Sequence, residues 1–217
     1  MLKVLSDILF ALDSGNLVLL TMLNLSAAFD SVDHDTLIWR LRTSYGLSVI
    51  AWFSSYLSGR IQHVRLTSTT STPLAIVCGV PQGRSSDRSF FLLYVADLLS
   101  LVRRHQLSPH AFADDSQIYG LCRPGSTDDL SRRVSNCVDD VSSWMRANRL
   151  QLNPSKTEVL WCSSGQRQHQ IPTAAVRICS TFVQPATTVQ NPGVFIDADV
   201  SMKAHIAATV RNNNNTV

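Results

Sequence analysis

Apolar residues along this chain recur in two rhythms, and each rhythm predicts an element. Leu2, Leu5, Ile8, Leu9 and Leu12 follow helical spacing, and Gly15 stands where such a helix would be capped. Residues 17–23 form an unbroken apolar run containing Val and Thr, the pattern of a central strand buried on both faces. Helices are expected over 35–45 and 52–57, closed by Gly46 and Gly59. Between 61 and 66, Ile61, His63 and Arg65 alternate with Gln62, Val64 and Leu66, which predicts a strand with a partner in 73–80. Residues 90–104 read as one strongly apolar helix. The tetrapeptide Ser126-Thr127-Asp128-Asp129 has the form of a capping box, with Asp in place of Glu or Gln. It opens the clearest helix of the chain, in which Leu130, Val134, Val138, Val141 and Met145 make one stripe with Trp144 beside it. Strands at 157–162 and 194–196 and a last helix from about Met202 complete an α+β pattern. One domain is expected over 1–211, followed by a low-complexity, disordered tail at 212–217.

Composition narrows the class without deciding it. Hydrophobic residues make up 45% and charged residues 16% of 217, which argues for a packed globular chain and against disorder. A formal net charge of +3 is weak support for a nucleic-acid partner, although local basic surfaces remain open. The five cysteines, Cys78, Cys122, Cys137, Cys162 and Cys179, lack CxxC spacing and read as reduced thiols in an intracellular chain of the cytoplasm or nucleus. The apolar stretch at 16–29 is too short and too interrupted to span a bilayer, and Asp7 and Asp13 break any leader-like run, so no membrane partner is expected.

The chemistry is concentrated in Phe112-Ala113-Asp114-Asp115, which lies between two strand-like stretches. Two adjacent acids at a hairpin turn are suited to holding Mg²⁺ or Mn²⁺ against a polyphosphate, because such ions take carboxylate and phosphate oxygens. Ordinary turn chemistry is the plainer reading of the same pair. Three further motifs accompany it in order: Leu23-Asn24-Leu25-Ser26-Ala27-Ala28-Phe29-Asp30-Ser31-Val32-Asp33-His34, then Gly79-Val80-Pro81-Gln82-Gly83, and later Leu152-Asn153-Pro154-Ser155-Lys156-Thr157-Glu158. Together the four closely resemble the reverse transcriptase palm of non-LTR (LINE-type, CR1/Jockey-like) retrotransposons, across nearly the whole chain.

That resemblance implies a polymerase palm, an antiparallel sheet with helices packed on one face, joined by part of the fingers and little or no thumb. It implies an RNA-directed DNA polymerase ancestry, with an RNA template, a DNA primer and a deoxynucleoside triphosphate as partners. Asp114 and Asp115 would be the hairpin metal ligands. Phe29 would sit under the sugar of the incoming nucleotide, unless it is simply a core aromatic. Gln82 and Gly83 would belong to the template-contacting loop, and Lys156 would lie near the triphosphate, unless it is an ordinary exposed lysine. Arg60, Arg65, Arg146 and Arg149 are further candidates for phosphate contacts.

The chain also departs from the family pattern. The first palm strand ordinarily carries an aspartate where this chain has Asn24. An amide offers one neutral oxygen and cannot bridge two cations, so the expected loss is roughly 10²- to 10⁴-fold in rate. Asp30 and Asp33 are poor substitutes, since Asp33 is placed to cap the helix that follows. Residues 84–89, charged or polar where the family is small or apolar, are expected to fray because burying their charges would be costly. Pro192 is expected to weaken a hairpin at 189–197 that resembles the family's primer grip. Three readings stay open: a polymerase with working chemistry, an inactive palm kept for binding nucleic acid or protein, and a decayed remnant. Damage at several unrelated sites suits the last.

Overall fold

The structure is a computed structural model describing residues 2–26, 28–44, 47–80, 85–112, 115–191 and 193–214. In chain order the elements are α1 (Leu2–Asp13), β1 (Leu17–Leu23), β2 (Leu25–Ser26), α2 (His34–Ser44), α3 (Leu47–Leu57), β3 (Ile61–Gln62), β4 (Arg65–Leu66), β5 (Thr69–Thr70) and β6 (Leu74–Ala75). They continue with α4 (Ser85–Tyr94), α5 (Ala96–Arg104), β7 (Ser108–Phe112), β8 (Asp115–Cys122), α6 (Thr127–Ala147), β9 (Gln151–Leu152) and β10 (Glu158–Cys162). The last are β11 (Val176–Ile178), β12 (Thr181–Val183), β13 (Thr188–Asn191), β14 (Val194–Asp197) and α7 (Lys203–Asn214).

Every residue of β1 is buried because both faces of its sheet are covered. The strand order is β10-β1-β8-β7, and every pair is antiparallel. Side chains alternate across β1, as the pleat requires. Leu17, Leu19 and Leu23 face the α5 and α6 side with Ile118 and Trp161, and Leu130, Val134, Val138, Val141 and Met145 are fully buried against them. Val18, Leu20 and Met22 face α1 and the β13–β14 hairpin, where Val4, Ile8, Val189 and Ile196 complete a second cluster. The α+β palm architecture therefore stands, with α1 added on the face opposite α6.

Helix α1 ends as its glycine predicts. Gly15 adopts φ +76°, its N–H bonds Leu12 O at 2.9 Å, and Asn16 N–H bonds Ala11 O at 3.0 Å, a Schellman closure.

Several expectations are corrected. Residues 85–89, expected to fray, have a helical backbone within α4, and Ser89 is exposed. Position 84 lies outside the described residues. The single helix expected over 90–104 is two, with the break at Val95, whose N–H still bonds Phe91 O while Leu98 N–H turns back to Val95 O. Helix α6 forms, but Ser126 makes no capping side-chain bond. A 3₁₀ turn at Pro124–Ser126 runs directly into α6, which places the Ser126 backbone outside cap geometry. The β13–β14 hairpin pairs in full register from Thr188↔Asp197 to Asn191↔Val194. Position 192 itself lies outside the described residues. Helix α7 reaches Asn214, so three positions assigned to a disordered tail are helical. The strand at 61–66 is instead two short exposed pairs, β3 with β6 and β4 with β5. The β11–β12 pair had no counterpart in the sequence reading.

Candidate active site

One end of the sheet collects most of the sequence motifs. The β1–β8 register ends at Leu23↔Ser116, so the next position sets Asn24 level with Asp115. Asp115 is half-buried at the first position of β8 and closes the hairpin opposite Phe112. Asp114 lies outside the described residues. Asn24 is where the chain changes partners. Before it, Met22 pairs with Glu158 of β10; after it, Leu25 pairs with Leu152 of β9. The carbonyl of Asn24 accepts the N–H of Asn153 at 2.9 Å, and Asn153 O accepts the N–H of Lys156 at 3.2 Å. Lys156 thus sits exposed, one 3₁₀ turn from Asn24.

The loop after Asn24 is tied to the start of the glycine-rich motif. Val80 N–H bonds Phe29 O at 2.9 Å, and Gly79 N–H bonds Val32 O at 2.7 Å. Nε2 of His34 donates to Gly79 O at 2.7 Å. Gly79 has φ +84°, and a Cβ there would come within 3.2 Å of the Asp30 carbonyl, so glycine answers both a left-handed backbone and a close approach. Gln82 and Gly83 lie outside the described residues. Phe29 is half-buried with its ring 5.5 Å from that of Phe91, so it serves the core on at least one side.

The nearby acids are differently employed. Asp33 Oδ1 accepts from the Thr36 N–H at 2.8 Å and the Thr36 hydroxyl at 2.7 Å, which makes it the N-cap of α2. Its Oδ2 accepts from Arg149 at 2.7 Å. The Thr36 hydroxyl, the Thr36 N–H and the Arg149 charge hold the Asp33 carboxyl below the usual carboxylate range, against burial, which pushes it up. Asp33 cannot also take the place of a strand carboxylate, and Asp30 is exposed in the loop beyond β2. Arg149 is engaged with Asp33, and Arg60 lies over the ring of Tyr56 at 5.2 Å.

Sequence reasoning missed one contact at this site. Gln117, two residues beyond Asp115, donates through Nε2 to Asn191 Oδ1 at 2.6 Å, and both side chains are buried. This bond fastens the β13–β14 hairpin to the acidic strand. A glutamine inside a strand run was the available signal.

Among the described residues no three His, Cys, Asp or Glu side chains gather as a cation site. A pair of cations is best bridged by carboxylates from two strands, and the position that follows β1 carries an amide, which fits such a centre less well than a carboxylate. No helix among the described residues is long and apolar enough to cross a membrane.

Comparison with known proteins agrees with this geometry. A sequence profile described as "Reverse transcriptase (RNA-dependent DNA polymerase)" matches residues 5–193. The chain belongs to the reverse transcriptase family. The family resemblance read in the motifs is borne out by two Drosophila melanogaster relatives, "Probable RNA-directed DNA polymerase from transposon BS" and the corresponding protein "from transposon X-element". They are 24% identical over 209 residues and 27% identical over 208, each match covering 94% of this reverse transcriptase chain. The chain spans only 23% and 22% of their lengths. Among solved structures, apo telomerase from Candida tropicalis superimposes with a TM-score of 0.61 at 13% identity, covering 93% of this chain and 39% of that one. Telomerase from Candida albicans, in complex with a fragment of telomeric RNA, also gives 0.61 at 14% identity, covering 92% and 34%. At these identities the likeness is one of fold.

Proposed function

We propose that this chain is the palm, with part of the fingers, of a retrotransposon reverse transcriptase that has lost nucleotidyl transfer. The observation that carries the reading is Asn24, one position past the end of β1 and level with Asp115. In the ancestral reaction an RNA template directs extension of a DNA primer from deoxynucleoside triphosphates. Asp114 and Asp115 are the metal-binding candidates, and any cation they hold is Mg²⁺ or Mn²⁺. Phe29, Gln82, Gly83 and Lys156 are the nucleotide- and template-binding candidates. Their proximity to Asn24 is supported for Lys156 by the Asn24–Asn153–Lys156 hydrogen bonds, and for Phe29 by its backbone bond to Val80. The removal of one negative charge from the centre corresponds to a rate loss of about 10²- to 10⁴-fold. The place of action is the cytoplasm or nucleus.

The test is primer extension on an RNA template with Mg²⁺ and with Mn²⁺. The unaltered chain is expected to add no nucleotide above background. Metal-dependent extension by that chain would overturn the reading.

A further inference from the structure

The two short strand pairs over 61–75 are parts of one ribbon. Between them Ser71 N–H bonds Val64 O at 2.9 Å, and at the base Ile76 N–H bonds Arg60 O at 2.9 Å. Thr72 and Pro73 together stand opposite His63, so the second strand carries a bulge. Every residue from 61 to 75 is exposed, and among the described residues the two strands pair only with each other. A two-stranded ribbon that covers neither of its faces is marginal by itself, and this one presents Ile61, Val64, Leu66 and Leu74 to solvent.

The outer edges of the ribbon differ. Along 69–75 the bulge and Pro73, which has no N–H, blunt the edge against further pairing. Along 61–66 there is neither bulge nor proline. The Val64 carbonyl is spent on Ser71, so by the alternation of an antiparallel pair the backbone N–H and C=O of Arg65 face outward. Val64 and Leu66 share one face of this strand, and Arg65 lies on the other. Arg65 is the one formal charge on the strand, and the sequence holds no Asp or Glu from 36 to 86 to neutralise it. A lone cation on an open edge repels a basic strand and favours an acidic one.

We propose that the outer edge of 61–66 docks an extended segment of another polypeptide, in which aliphatic and acidic residues alternate, as a third strand of the ribbon. The open backbone groups supply the strand bonds, Val64 and Leu66 pack the aliphatic residues of the segment, and Arg65 meets its acids on the opposite face. Aliphatic side chains offer bases nothing to stack on, and a single arginine on the strand is a poor match for a chain of phosphates. A second copy added edge to edge would set Arg65 near its own counterpart, with no acid in either ribbon to offset the repulsion. The site does not depend on the chemistry at Asn24 and goes beyond the reading given above.

The test is fluorescence anisotropy with the full chain and three fluorescein-labelled peptides: alternating valine and glutamate, alternating valine and lysine, and the glutamate peptide with its backbone nitrogens methylated. The unaltered chain is expected to bind the first and neither of the others, since methylation removes the strand donors. Arg65→Glu is expected to weaken binding of the glutamate peptide at least about tenfold and to transfer the preference to the lysine peptide. The double variant Val64→Ser, Leu66→Ser is expected to weaken it about tenfold as well. Both variants should melt as the unaltered chain does, because the altered side chains are exposed. Failure of the unaltered chain to bind the glutamate peptide overturns the proposal, as does equal binding of the glutamate and lysine peptides or unchanged affinity in both variants. Binding of labelled oligouridylate that Arg65→Glu abolishes, without peptide binding, overturns it and makes the ribbon a nucleic-acid surface. Dimerisation in sedimentation that the double variant abolishes, without peptide binding, overturns it in favour of a second copy.

Discussion

Exchanging a carboxylate for a carboxamide at position 24 removes one charge and leaves the backbone of the site in place. Asn24 still passes its carbonyl to Asn153, and β1 still ends beside Asp115. Fold and chemistry therefore rest on different things at this position: the strand is held by its neighbours, whatever the charge of the side chain. Asp33 shows the converse, a carboxylate committed to structure. Asp33→Ala is expected to cost about 1–2 kcal/mol in urea unfolding through loss of the α2 cap, while Asp33→Asn keeps most of the cap. Because the folded Asp33 carboxyl lies below its unfolded value, its charge contributes stability at neutral pH, and that contribution is lost as pH falls below about 4. The unaltered chain and Asp33→Asn should therefore converge in stability on acidification. A constant difference between them down to acid pH would refute that role. The cap was legible from sequence, since an acid just before a helical run is a recognised start. The Arg149 partner was not, because 116 positions separate the two and only the closed fold brings them together.

Among the elements, α2 shows how far pattern reading goes. Hydrophobic spacing found the helix, but apolarity alone would place Trp39 inside and Arg40 outside, and the structure does the reverse. Arg40 is buried, donating to the carbonyl of Tyr94 and to Asn148 Oδ1 at 2.5 Å, with its guanidinium 4.8 Å from the Tyr94 ring centre and 5.0 Å from that of Trp144. Tyr94 in turn donates its hydroxyl to Asn148 O at 2.8 Å. One arginine thus ties α2 to the end of α4 and the end of α6. Arg40→Leu strands these buried acceptors and is expected to destabilise the chain by about 1–3 kcal/mol in chemical denaturation. Arg40→Lys should recover little, since an ammonium cannot reproduce the planar fork. Stability unchanged in both variants would show that the clamp carries no load. By contrast, the α6 stripe was read correctly because its five apolar residues bury against one sheet face, so period and burial coincide.

At the scale of the molecule, the two apolar clusters share β1, β8 and β10, so neither can open without exposing the other. A single cooperative unfolding transition follows, with β1 amides protected to the level of global stability. The strand pairs over 61–75 bury almost nothing; Ile61, Val64, Leu66 and Leu74 are 61–74% exposed. Hydrogen exchange there should be much faster than in β1, and equal protection in the two regions would contradict this account of the fold. These short pairs were misjudged from sequence because alternation predicts a strand but not the sheet that would bury one of its faces. The measurement that bears most directly on the central claim is primer extension on an RNA template by the chain and its Asn24→Asp variant, side by side. The account predicts silence from the chain and metal-dependent extension by the variant, a gain of at least about 10²-fold. Extension by both at equal rates, or by neither, would contradict the claim that the charge at position 24 is what the site lacks.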